Sequence, residues 1–196
     1  VFFVEMELRP EIGIAQEQVP HVHKDGRTFL RVVVTNRSLW WPLRLVMDRR
    51  PATQVRAWVT FLTETEDPIF TPGRQMVGRW SNTPEPIRPI MVSQTTGGTH
   101  EMTFLLDQSI TRDTVDIGSG DHEILDIVMR VPAENGCRGW HNRIIQNTNP
   151  KPEDQFELRA GRYLAKVRVD VSGRSFFALF RIVCDVGIRD FRLERI

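Results

Sequence analysis

Apolar and polar positions alternate with a period of two along most of the chain, and no long stripe of helical period with caps interrupts them. From Thr28 to Asn36, Leu30, Val32 and Val34 fall on one face, against Arg31, Val33 and Thr35. From Thr53 to Leu62, Val55, Ala57, Val59 and Phe61 share a face opposite Arg56, Trp58 and Thr60. Leu125, Ile127, Met129 and Val131 alternate with Ile124, Asp126, Val128 and Arg130, and the second set is expected to be mostly wet. Tyr163, Ala165, Val167, Val169 and Val171 alternate with Leu164, Lys166, Arg168 and Asp170. The last strong strand, Ser175 to Cys184, sets Phe176, Ala178, Phe180 and Ile182 against Phe177 and Leu179, so it is apolar on both sides. Ser172-Gly173 before it is a tight-turn signal that makes the last two strands a hairpin. The pattern predicts an all-β chain folded as two antiparallel sheets. Leu30, Val32, Val34, Val55, Ala57, Val59, Leu125, Ile127, Val167, Val169, Phe180 and Ile182 are its expected core.

Three connections break the rhythm. Residues 38–51 carry Trp40-Trp41-Pro42 and Asp48-Arg49-Arg50-Pro51, 67–89 hold five prolines, and 132–157 include Asn135-Gly136 and a polar run around Asn149. Proline cannot donate to a ladder, so these read as loops or edge strands. With no internal repeat, 1–196 is read as one sandwich domain with insertions near 38–51, 67–89 and 132–157. Alternation leaves Trp58, Phe177 and Leu179 on outer faces. The apolar insertion at Ser38 to Arg50, or the 132–157 connection, is expected to cover them, since wide apolar patches are rare on a monomer.

A 40% apolar content is enough for a real core, and a formal net charge of +1 removes the bulk attraction that nucleic acid binding draws on. Cys137 and Cys184 are too few for a disulfide framework and lack metal-type spacing, so two unlinked thiols or a single bond both fit. No stretch approaches the ~18 to 20 apolar residues of a membrane-spanning helix. Any membrane attachment is therefore expected through a segment absent from this chain, which opens on Val1 rather than methionine.

Leu158 through Val167, with Gly161 and the sole tyrosine, Tyr163, resembles the leucine, glycine, tyrosine, alternating-valine entry to a late strand in fibronectin type III and bacterial cell-adhesion-related domains. Leu30 to Asn36, Ala52 to Leu62 and Gly78 to Asn82 look like an uncharacterised prokaryotic β-sandwich family often attached to membrane helices. The resemblance implies an immunoglobulin-like sandwich, the soluble part of a membrane-tethered protein, and supplies no catalytic residue. It also implies structural roles for Gly161 and Tyr163, whose hydroxyl is expected to close a corner onto upstream backbone from a mostly buried ring.

The chemistry-bearing residues are sparse. His21 and His23 share a face of an extended segment, but a metal site requires a third ligand and usually a fourth. Asp121-His122-Glu123 reads as a polar turn opening the Leu125 strand, and no nucleophile-elbow or phosphate-loop pattern occurs. No cofactor, metal or catalytic set is expected. Trp40, Trp41, Trp80 and Trp140 sit in loops or at loop margins beside arginine or asparagine, as aromatic platforms for sugars do, or as covers for sheet edges. The leading expectation is a non-catalytic interaction domain binding a protein partner or a second copy of itself. Its binding residues would come from Trp40, Trp41, Trp58, Trp80, Trp140, Phe177 and Leu179. A carbohydrate-binding module is the alternative, and a metal-dependent hydrolase is a more remote one.

Overall fold

The computed structural model describes residues 8–83, 87–90, 103–106, 112–132, 134–143, 156–185 and 191–196. In chain order the strands are β1 (Ile12–Gln16), β2 (His21–Val22), β3 (Thr28–Asn36), β4 (Ala52–Leu62), β5 (Met76–Val77), β6 (Arg79–Trp80), β7 (Ile87–Ile90) and β8 (Thr103–Leu106). They continue as β9 (Thr114–Ile117), β10 (His122–Arg130), β11 (Gly136–Gly139), β12 (Glu157–Arg159), β13 (Gly161–Val171), β14 (Arg174–Cys184) and β15 (Phe191–Arg195). A short helix, α1 (Trp41–Arg44), lies between β3 and β4.

A seven-stranded sheet runs β1-β3-β10-β11-β12, with β2 on β3 and β6 on β10, and a six-stranded sheet runs β15-β14-β13-β4-β5, with β9 on β4. Every pairing is antiparallel, and the two sheets pack face to face as a sandwich. All twelve expected core residues lie in the one apolar cluster between the sheets. Strand periodicity alone places them there, because inward and outward side chains alternate and only the inward set is apolar throughout.

Three local details hold this frame. Ser172 and Gly173 both adopt positive φ, 49° and 74°, giving the mirrored turn that lets β13 and β14 run in register from Val171↔Arg174 to Gly161↔Cys184. Between β5 and β6 the chain crosses from one sheet to the other at Gly78, where a Cβ would sit 2.7 Å from Leu125 Cδ1 and 3.2 Å from Ala57 Cβ, so a side chain there would displace Leu125. Asn36, wholly buried, ends β3 by accepting from the Glu11 amide and donating to the carbonyls of Arg50 and Ile117.

Two expectations are corrected. A bulge in β10 between Asp126 and Val128 turns Ile127 and Val128 both inward, which moves Met129 from the expected core face to an outer cluster with Phe29 and Trp140. The supposedly wet face of β10 is also covered, because Asp126 and Arg130 are both buried. Second, the insertion at 38–50 does not lie across Phe177 and Leu179. Only its Leu39 and Arg49 are buried, while Trp40, Trp41, Leu43, Leu45 and Val46 are exposed at the β3–β4 end.

Candidate binding face

Strands β4, β13 and β14 form the middle of the six-stranded sheet, and their outward residues fall into rows across it. Register sets Trp58 beside Arg168 and Arg168 beside Phe177; the neighbouring rows are Thr60, Lys166, Leu179 and Arg56, Asp170, Ser175. Adjacent strands are ~4.8 Å apart, so Trp58 and Phe177 stand about 10 Å apart with the Arg168 position between them.

Asp170 organises this face. It accepts from the Trp58 indole Nε1 at 3.0 Å and from Ser175 Oγ at 2.7 Å, and Arg168 Nε lies 3.3 Å from it. The indole is thereby pinned by its polar end while the guanidinium carbons of Arg168 and Arg56 stand 5.5 and 5.8 Å from its ring centroid. Lys166 Nζ stands 5.4 Å from the Phe177 ring, in reach of a cation–π attraction. Phe177 is 59% exposed even so. A shallow depression of about 640 Å³ runs past it, lined by Thr60, Leu62, Gln75, Lys166, Arg168 and Leu179 among others. The face thus offers one free aromatic ring, one tethered ring and three cations on a rigid floor.

The other tryptophans do not join it. Trp80 is wholly buried with its Nε1 donating to the Asp113 carbonyl, and Trp140 is buried edge-on to Phe29, so neither presents a platform. Trp40 and Trp41 are exposed on and beside α1. His21 packs near Phe29 and His23 Nδ1 pairs with Asp25 at 3.0 Å. Among the described residues no three His, Cys, Asp or Glu side chains gather as metal ligands would. Gly161, at φ 155°, leaves room for the Tyr163 ring over it, and the Tyr163 hydroxyl donates to the Arg159 carbonyl at 3.0 Å. The hydroxyl thus reaches upstream backbone as expected, but the ring, packed against the edge of the core cluster, is only half-buried rather than mostly buried.

Two polar clusters are not evident from sequence spacing. Asp126 is buried and accepts from Arg31 Nε at 2.7 Å, Ser81 Oγ at 2.8 Å and Arg79 Nη1 at 3.3 Å, a set drawn from β3, β6 and the turn after it. Its carboxylate is consumed in holding the β6 crossing to β10. The second joins the sheets: Arg130 on β10 donates to the Gly136 carbonyl, to Cys184 Sγ at 3.1 Å and to the Asp185 carbonyl. Cys137 on β11 and Cys184 on β14 are both buried free thiols, and they influence each other's titration across the sandwich. The neighbouring Cys137 thiol, and then the Arg130 guanidinium working against burial, draw the Cys184 thiol down to about 7, while the neighbouring Cys184 and burial push Cys137 up.

No protein-family model, curated protein or solved structure matches the chain.

Proposed function

We propose that this chain is a non-catalytic interaction domain of the immunoglobulin-like kind, and that the outer face of β4, β13 and β14 is where a protein partner docks. The observation that carries the reading is Phe177, a large ring held 59% exposed at mid-strand, one arginine away across the sheet from a pinned tryptophan. A rigid aromatic anchor next to arginine is the usual composition of the energetic centre of a protein interface. Half-buried Trp58 and Arg168, with exposed Lys166, would supply its margin. The closed Tyr163 corner supports the immunoglobulin-like assignment. A sugar-binding strip would need exposed, coplanar rings in a line, and the burial of Trp80 and Trp140 weighs against that.

The test is photo-crosslinking in the native host from a benzophenone amino acid at position 177, with one at the comparably exposed Val22 as control. The reading expects a discrete adduct from position 177 alone that is lost when Trp58→Ala is added. Identical adducts from both positions, or none from 177, would sink it. Retention on a glycan array, abolished by Trp58→Ala, would move the assignment to carbohydrate.

A further inference from the structure

Among the described residues nine large apolar side chains are exposed, and five of them fall between Trp40 and Val46. Trp40, Trp41, Leu45 and Val46 are each 70% or more exposed, and no residue of α1 is buried. The segment is nevertheless ordered by its own backbone. The amides of Leu43 and Arg44 donate to the Trp40 carbonyl, and those of Val46 and Met47 to the Leu43 carbonyl. Apolar side chains on a tip whose backbone is partly self-bonded leave fewer polar groups stranded when they leave water, which favours entry into a lipid interface. Tryptophan is the residue most at home at that depth.

The base of the tip is cationic. Strand registers bring the start of β1, the β3–β4 connection and the β13–β14 turn to one end of the sandwich. There Arg9, Arg50 and Arg174 line a cleft of about 320 Å³ with Pro10, Pro51 and Ser172, and no carboxylate shares the lining. The cleft is braced by the Arg50 amide on the Leu8 carbonyl and by Arg174 Nη1 on the Pro10 carbonyl. Nearby Glu11 is already committed to Arg37 and Arg49. Arg44 is exposed on α1, and Asp48 is the exposed acid of the loop itself.

From these two features we infer that this end is a peripheral membrane-docking tip. Trp40, Trp41, Leu43, Leu45 and Val46 enter the interface of an anionic bilayer while Arg9, Arg50 and Arg174 hold lipid phosphate. Charge complementarity selects the occupant: two copies meeting tip to tip would bring Arg9, Arg44, Arg50 and Arg174 of each against the other, and like charges oppose that contact. No described helix is long and apolar enough to cross a membrane, so the contact is one of lying on the surface rather than spanning it. None of these residues belongs to the face around Phe177, so this inference and the proposed partner site stand or fall separately.

The experiment is flotation of the full chain with vesicles of phosphatidylcholine alone and of an equal mixture of phosphatidylcholine and phosphatidylglycerol. Wild type is expected to float with the anionic vesicles, roughly tenfold or more tightly than with the neutral ones, and to be released by salt. Trp40→Ser with Trp41→Ser should weaken anionic binding at least about tenfold. Arg9→Gln, Arg50→Gln and Arg174→Gln together should reduce it to the neutral-vesicle level. These side chains are exposed, and unchanged melting curves will show that the variants remain folded. Absence of flotation, or flotation indifferent to the tryptophans, would overturn the inference. So would a doubled light-scattering mass that falls to monomer in the tryptophan variant, which would assign the tip to self-association. Inorganic phosphate binding to the free protein as tightly as the vesicles do would assign the cleft to a soluble anion instead.

Discussion

Replacing Asp126 by alanine removes a carboxylate that accepts three hydrogen bonds inside the fold, and the cost can be followed group by group. Arg31 keeps some access to water, with 13% of its side chain exposed, and recovers part of its loss by solvation. Arg79 cannot, since its side chain is only 6% exposed and its remaining bond is to the Thr83 carbonyl. Breaking a buried pair from one side strands the other charge, at a cost of about 3–5 kcal/mol. Arg31's recovery places Asp126→Ala near the lower end of that range. Urea unfolding with linear extrapolation reads it directly. Asp126→Asn, which keeps shape and one acceptor, should lose about half as much and provides a measurement if the alanine variant is too unstable. Adding Arg79→Met to Asp126→Ala should restore roughly 1–2 kcal/mol, because the stranded charge leaves with its partner. A loss below about 1 kcal/mol for Asp126→Ala, or strict additivity in the cycle, would refute the account of a closed buried cluster.

Other outcomes follow from single contacts. Tyr163→Phe should cost only about 0.5–1 kcal/mol in urea unfolding, less than a buried corner would, because the freed Arg159 carbonyl can turn to water; a loss above 2 would mean the ring is deeper than half-buried. Phe177→Ala should leave stability within about 0.5 kcal/mol of wild type while removing partner binding, and a large fall in the midpoint would return Phe177 to the structural residues. With reductant present, stability should rise between pH 7 and 9: folding lowers the Cys184 pKa from 9.0 to about 7, so its contribution is full above the unfolded value and is lost as pH falls through the folded one. Cys137 moves the other way, so its contribution fades as pH climbs past 9.0, and Cys184→Ser should abolish the rise between pH 7 and 9 in urea midpoints while the fall past 9.0 that burial of Cys137 causes remains.

The long strands were legible because each carries its pattern over nine or eleven residues, enough for inward and outward sets to separate. Strands β1 and β15 were not, since five residues such as Ile12–Gln16 give too few alternations to stand above chance. Strand β11 was hidden within the 132–157 connection, and β12 at its end, for the same reason. Trp58 was placed correctly by parity, whereas Met129 was misplaced because a bulge leaves no sign in composition. The Asp126 and Cys137–Cys184 clusters depend on strands far apart in sequence, which spacing cannot bring together. One signal was available for Asp126: a lone acid in a run of apolar residues needs a buried cation.

The strand pairings also set an order of assembly. The β13–β14 hairpin closes around a two-residue turn, so its eleven rungs can zip as soon as Ser172-Gly173 forms. Its other neighbour in the sheet, β4, comes from the first third of the chain, and the Leu62↔Leu164 rung encloses roughly a hundred residues of intervening chain. Slow, non-local closure of that kind governs the folding rate of sandwiches. Until β4 arrives, the edge of β13 and its row of Ala165, Val167 and Val169 lie open to any passing strand. A hairpin that forms early and waits long for its partner is the point at which this protein, made at high concentration, would begin to aggregate.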